Sequence, residues 1–222
     1  MFAQYNFQWS VISDHWPTLL AGAWIDLSAS LIGFSFACAL GLVLAMARRT
    51  PWAAVRGAAY AVVEASRGIP PYVLLLWVHF GLSRFVGIAF TPMQSIVAVL
   101  AFTGAGYAAE IFRSGIAAVD DGQTEAARAL GLTRRDTYVH VILPQSLRLV
   151  VAPLGNVLVG ILKTATLMGV IAIPDMLHRA QGINMNYFAP FEAFTAVLLV
   201  FVAMVFTLSF FFLAIERALE HP

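Results

Sequence analysis

The chain has 222 residues, 60% of them hydrophobic and 11% charged, with 13 Lys and Arg against 12 Asp and Glu for a formal net charge of +1. Soluble domains are less than half apolar and about a quarter charged, so this composition, with a mean hydropathy of +0.82, excludes a soluble globular protein and places the chain in a membrane. The basic residues are few and dispersed, which excludes a nucleic-acid partner.

The opening "MFAQYNFQWSVISDHW" has no Lys or Arg, so it lacks the basic start of a cleavable signal peptide and is expected to stay on the mature protein. Leu27 to Ala47 is the first uncharged run long enough to cross a bilayer, against about 20 residues required of a helix. The lone Cys38 lies within it, reads as a small buried apolar residue, and rules out an internal disulfide. A second span is expected over Gly68 to Ser83, containing Pro70 and Pro71, and a third within Phe85 to Ala109, starting after Pro92. The fourth runs from Leu149 to about Ile173 and holds Lys163; the fifth is Ala193 to Ile215. Only helices or closed barrels satisfy their backbone in lipid, and the alternation of barrel strands is missing, so the fold class is all-α with five transmembrane helices.

Arginines set the expected orientation. Arg48, Arg49 and Arg56 follow the first span, and Arg113, Arg128, Arg134, Arg135 and Arg148 follow the third, whereas the opposite loops carry only Arg84 and Arg179. Short basic loops stay in the cytoplasm, which puts the amino terminus outside and the carboxyl-terminal "ERALEHP" inside.

Between the third and fourth spans, "DDGQTEAARALGLTRRDTYVHVILP" reads as two short helices joined by a turn. Asp120 and Asp121 sit where a helix dipole favours acids, and Gly131 supplies the left-handed residue that ends a helix. Thr133 with Asp136 makes a short-armed capping box for the second helix, which Pro144 is expected to end. Alanines rather than large lipid anchors cover the first helix. Two readings stay open on these grounds: an amphipathic connector resting on headgroups, or a docking element for a cytoplasmic partner.

The remaining charges divide between structure and function. Glu110 with Arg113, and Glu64 with Arg67, have the spacing of helical ion pairs. His79 reads as a satisfied interfacial histidine, because no second ligand lies at metal-binding spacing. "NMNYFAPFE", with Tyr187 and Phe188, is an outer aromatic belt or a surface for an external protein. Lys163 lies roughly 22 Å along its helix from Arg148, inside the bilayer, where an ionisable group by default marks function. Its alternative is a snorkelling or inter-subunit structural role. Asp175, after Pro174, is either functional or the amino-end acid of a short outer helix.

Glu125-Ala126-Ala127, then Gly131, then Val141-Ile142-Leu143-Pro144 resembles the EAA loop of permease subunits of bacterial ABC importers, with Val141 where that family usually has Ile. "YAAEIFRSGIAAVDDGQTEAARALGL", "VILPQSLRLVVAPLGN", "EASRGIPP" and "LKTATL" resemble its polar amino-acid branch, from about Leu19 to the carboxyl end. The resemblance implies a single permease domain over 1–222, of the ABC type I importer kind, in the bacterial inner membrane, with a coupling loop at about 120–144. In such a loop Glu125, Ala126, Ala127, Gly131, Leu143 and Pro144 would serve docking to an ATPase. It further implies a second permease subunit, identical or homologous, two cytoplasmic ATPase subunits, an extracytoplasmic amino-acid-binding protein, and alternating access driven by ATP and Mg held on the partners. This chain itself would bind no cofactor and catalyse nothing. For a substrate bearing a carboxylate and an ammonium, Lys163, Thr164 and Thr166 would supply donors and Asp175 an acceptor. Some homologues have an acid near Thr164; its absence here weighs against cationic side chains.

The chain contains no "GxxxxGK[ST]", so it is not expected to be its own ATPase, and if ATP drives it another subunit brings the ATP. Five helices without an internal repeat make half a pathway. The competing class is an ion-driven homodimeric carrier or channel, with Lys163 and Asp175 as coupling groups.

Overall fold

The computed structural model describes residues 6–220, and among them every regular element is helical. The start of the opening segment, through Tyr5, and the last two residues of "ERALEHP" lie outside the described residues. The helices are α1 (Trp9–Ala47), α2 (Ala53–Gly68), α3 (Pro71–Val86), α4 (Pro92–Ala117), α5 (Asp121–Ala129), α6 (Arg134–Ala165), α7 (Met176–Tyr187) and α8 (Pro190–Glu220). Four of them are long and apolar enough to span a membrane, and α2 with α3 forms a fifth candidate bent by 105°.

α1 differs from the expected first span. Its 39 residues measure about 58 Å, nearly twice a hydrocarbon core of roughly 30 Å. The predicted run Leu27 to Ala47 is only its carboxyl half. The preceding half is helical because tertiary packing covers it: Val11, Ile12, Leu19 and Ala23 join Met176, Ala180, Ile183, Ala193 and Val197 in one buried cluster against α7 and α8.

The carboxyl half of α1 lies along α4, and small residues set the spacing. A Cβ on Gly41 would stand 2.7 Å from the Ala108 Cβ and 3.0 Å from the Ala105 carbonyl oxygen. Such approach is how helices associate in lipid, where water supplies no hydrophobic drive between them. Around this seam Ala29, Ala37, Ile96, Val99 and Leu100 pack with Ile161, Ala165 and Met168 in the main core.

Prolines account for two further departures. The expected span Gly68 to Ser83 is instead broken at its diproline: Ile69 and Pro70 are extended, and Pro71 starts α3 where a missing N–H is harmless. Pro144 does not end the second hairpin helix. The chain runs on as α6 through Pro144 and Pro153, because a widened π-type turn over Tyr138–Ile142 precedes Pro144 and the Leu143 N–H donates five residues back to the Tyr138 carbonyl. α6 then stops at Ala165, short of the expected Ile173, and a 3₁₀ turn over Met168–Ile171 leads through Ala172, at φ 61°, to α7. The third span starts at Pro92 as expected, with Thr91 and Gln94 exchanging side-chain and backbone bonds of 2.9 and 3.2 Å, but extends to Ala117.

Candidate functional site

Two places concentrate the residues singled out by the sequence. The first is the hairpin made by α5 and the start of α6. Asp120 caps α5 by accepting the Gly122 N–H at 2.7 Å, and Asp121 and Arg128 occupy the dipole-favoured first and last turns. α5 ends at a left-handed Gly131, φ 78°, with the Gly131 N–H donating to the Arg128 carbonyl at 2.9 Å and the Leu132 N–H to the Ala127 carbonyl at 3.1 Å. This pair of bonds satisfies the last carbonyls of the helix and needs a residue without a left-handed penalty.

Thr133 then caps α6: its hydroxyl accepts the Asp136 N–H at 3.2 Å and donates to the Asp136 carboxylate at 2.6 Å. The side-chain amide of Gln145 reaches Gln123 at 3.3 Å and ties the two helices together. Ala127 is buried inside the hairpin, whereas Glu125, Ala126, Gly131, Leu143 and Pro144 are exposed and Leu130 is 82% accessible. The element is therefore rigid in its turns and bare on its outer face.

The second place is a groove of about 550 Å³ between the α2–α3 bend, α4 and α6, lined by Arg67, Tyr107, Glu110, Asn156, Gly160 and Thr164 among others. The Arg67 guanidinium lies over the Tyr107 ring, 5.5 Å from its centre, and pairs with Glu64 at 3.6 Å. Glu110 accepts from Arg113 at 2.8 Å and also from Arg48, sixty-two positions away. A guanidinium, a phenol, an amide and a hydroxyl on apolar walls can orient a small polar solute by hydrogen bonds.

Of the four pathway residues, Thr164 lines this groove, its hydroxyl donating to the Gly160 carbonyl at 3.0 Å. Lys163 and Thr166 do not: Lys163 is exposed on the neighbouring face of α6, and the Thr166 hydroxyl bonds the Lys163 carbonyl at 2.8 Å. Asp175 is wholly buried at the other end, where it caps α7 by accepting the His178 N–H at 2.6 Å and the Gly169 N–H at 3.2 Å. Burial raises its carboxyl above the ordinary range against the pull of those donors. His79 bonds the Ser95 hydroxyl at 2.9 Å.

Sequence reasoning missed Asp26. It is fully buried in α1, one carboxylate oxygen accepting the Met176 N–H at 3.1 Å, the other without a partner. A Cβ on nearby Gly22 would meet the Met176 Cα at 2.5 Å, so α1 and the start of α7 touch backbone to backbone. Glu192, also buried, accepts the Gln8 N–H at 2.5 Å. The signal was present in Asp26 itself, an acid at the edge of an apolar run, but ending the span at the first charge removed it from view.

Comparison with known proteins bears on both places. Residues 37–221 match the family described as binding-protein-dependent transport system inner membrane component. A probable amino-acid ABC transporter permease of Bacillus subtilis is 30% identical over 98% of this chain and 96% of its own length. The glutamine transport system permease of Escherichia coli K12 is 30% identical over 97% and 99% respectively. A chain from the crystal structure of an amino acid ABC transporter with histidines superposes with a TM-score of 0.89 at 28% identity, covering 96% of this chain and all of that one. The chain from the inward-facing MetNI methionine ABC transporter, at 22% identity and a TM-score of 0.78, shares the fold. Taken with the multi-helix membrane fold, these matches establish that the chain belongs to the binding-protein-dependent transport system inner membrane component family.

Proposed function

We propose that this chain carries a polar amino acid across the inner membrane by alternating access, coupled through the α5–α6 hairpin to a separate ATPase. Family membership already makes it a multi-pass, non-enzymatic permease subunit of an ABC importer, working with an ATPase and a substrate-binding protein, and decides against the ion-driven carrier. The single observation behind the coupling role is the hairpin's construction: turns locked by Asp120, Gly131 and Thr133, and an outer face of Glu125, Ala126 and Leu130 left open. The small side chain of Ala126 lets a receiving cleft close on the helix, and the locked turns transmit its displacement to α4 and α6. The polar amino-acid class rests on what the relatives are named for.

In this reading the hairpin side is cytoplasmic, the amino terminus outside and the carboxyl end inside, as the arginine distribution indicates. ATP and Mg reside on two ATPase subunits. A second permease, identical or homologous, supplies the other half of the pathway, and Lys163, exposed on α6 beside Thr164, presents its ammonium toward it. Residues Glu125, Ala126, Ala127, Gly131, Leu143 and Pro144 form the docking segment within about 120–144 of one permease domain. Thr166 shapes the end of α6, and Asp175 acts on the pathway through the outer helix it caps.

The test is a mild-detergent pull-down of the tagged chain from its native membranes with mass spectrometry. An ABC ATPase is expected with the wild type and is lost or loosened in Gly131→Asp. A stably folded wild type that brings down no ATPase would end the coupling role.

A further inference from the structure

We propose that the cleft where α1 ends, α2 begins and α4 nears its end binds the headgroup of an anionic phospholipid. The cleft holds about 410 Å³ and is lined by Arg48, Ala53, Arg56, Gly57, Tyr60 and Arg113. Three guanidiniums face it, yet a single carboxylate, Glu110, is shared by two of them: Arg48 bonds one oxygen and Arg113 the other at 2.8 Å. Arg56 forms no ion pair among the described residues, and one of its N–H groups donates to the Thr50 carbonyl at 3.1 Å. The cluster therefore keeps two uncompensated positive charges, with forked donors suited to phosphate oxygens.

Its parts are held in place before any ligand arrives. The Arg48 guanidinium lies over the Tyr60 ring, 5.4 Å from the centre, and its side chain is only 15% exposed. Trp52, the residue preceding α2, offers no side-chain cap, so the free first-turn amides of α2 add to the positive potential.

The surroundings favour a lipid over a soluble phosphate. The cleft opens at the ends of two membrane-spanning helices, and Trp52, Val55 and Tyr60 beside it are 72%, 40% and 54% exposed. An indole and a phenol at that level mark the boundary between headgroups and acyl chains. α4 leads within four residues into α5, so the site is on the hairpin side, the leaflet face expected to carry anionic lipid.

Native mass spectrometry of the purified permease with its co-purifying subunits, titrated with phosphatidylglycerol, cardiolipin and phosphatidylcholine, tests the site. The anionic lipids are expected to stay bound under collisional activation that strips phosphatidylcholine. Each arginine is worth about fivefold in occupancy, so Arg56→Gln with Arg113→Gln lowers binding by more than tenfold. Arg56→Lys retains most of it, and Arg84→Gln, on the opposite side, leaves it unchanged. If the double variant fails to assemble, Arg56→Gln alone carries the test, because its side chain holds only backbone carbonyls. Equal retention of phosphatidylcholine, binding unaffected by the arginine substitutions, or displacement of the lipid by millimolar inorganic phosphate would each overturn the proposal.

Discussion

The α5–α6 hairpin and the junction of α1 with α7 and α8 are opposite solutions to the same problem, fixing a helix end. In the hairpin each cap is local: Asp120 reaches two residues on, Thr133 three, and the left-handed Gly131 returns bonds to the helix just finished. In the junction Asp175 caps α7 locally, but further acceptors come from across the chain, Asp26 accepting from Met176 at a separation of 150 positions and Glu192 from Gln8 at 184. The hairpin is mostly exposed, with Ala127 buried inside it, and at Gly131 its limits are those of the backbone. The junction is buried, and its limits are steric. An exposed element is thus specified by its own turns, and a buried one by what lies against it.

The contrast is most easily broken at glycine. Gly22→Leu would drive a side chain into the Met176 backbone, which cannot yield as a flexible side chain could, and overpacking of this kind costs about 1–3 kcal/mol or more. The expected outcome is loss of monodisperse protein in detergent size-exclusion, and a well-behaved variant would show that the junction is looser than its backbone contact implies. At Gly131 a Cβ would meet nothing within 4 Å, so the cost is conformational only, about 1–2 kcal/mol for the left-handed backbone. Gly131→Asp should accordingly still insert in the membrane, with a melting temperature lowered by only a few degrees, but lose substrate-stimulated ATP hydrolysis. Retained stimulation in a complete complex would separate the hairpin from coupling.

Polar contacts sharpen the comparison. Asp26→Leu removes the acceptor of a buried N–H and should destabilise by about 1–3 kcal/mol, whereas Asp26→Asn keeps an acceptor and should melt close to wild type. If the two melt alike, the Asp26–Met176 bond is not what holds the junction. Thr133→Ala removes a helix cap worth about 1 kcal/mol, and amide exchange should quicken at the start of α6 while the rest of the chain is unaffected. Glu64→Gln breaks a half-exposed pair at 3.6 Å and should change stability by less than about 0.5 kcal/mol, the smallest effect of the set.

Much of the site was readable because its signals are short-ranged. Asp120, Gly131 and the Thr133–Asp136 pair act within a few residues, so spacing alone located the start of the hairpin and the turn between its helices, though not the continuation through Pro144. Lys163 and Asp175 stood out by charge, but charge does not say which way a side chain faces: Thr164 turns into the groove, while Asp175 is enclosed at a helix end. Arg67, Tyr107 and Asn156 were passed over because each is ordinary in its own segment and meaningful only where α2, α4 and α6 converge. The Arg48 bond to Glu110 was invisible for the same reason, since Glu110 already had a local partner in Arg113.

From the chain alone came the membrane environment, the helical class, four of the candidate spans and the hairpin, because hydropathy, run length and caps are properties of consecutive residues. The resemblance of the EAA segment pointed to the family. Tertiary structure decided that α1 extends upstream to Trp9, that α2 and α3 meet at a bend of 105°, and that α6 passes through Pro144 instead of stopping there. For α1 distant packing against α7 and α8 outweighed the local signal, while at the two proline sites a change of backbone hydrogen bonding decided between a break and a continuation that spacing alone leaves open.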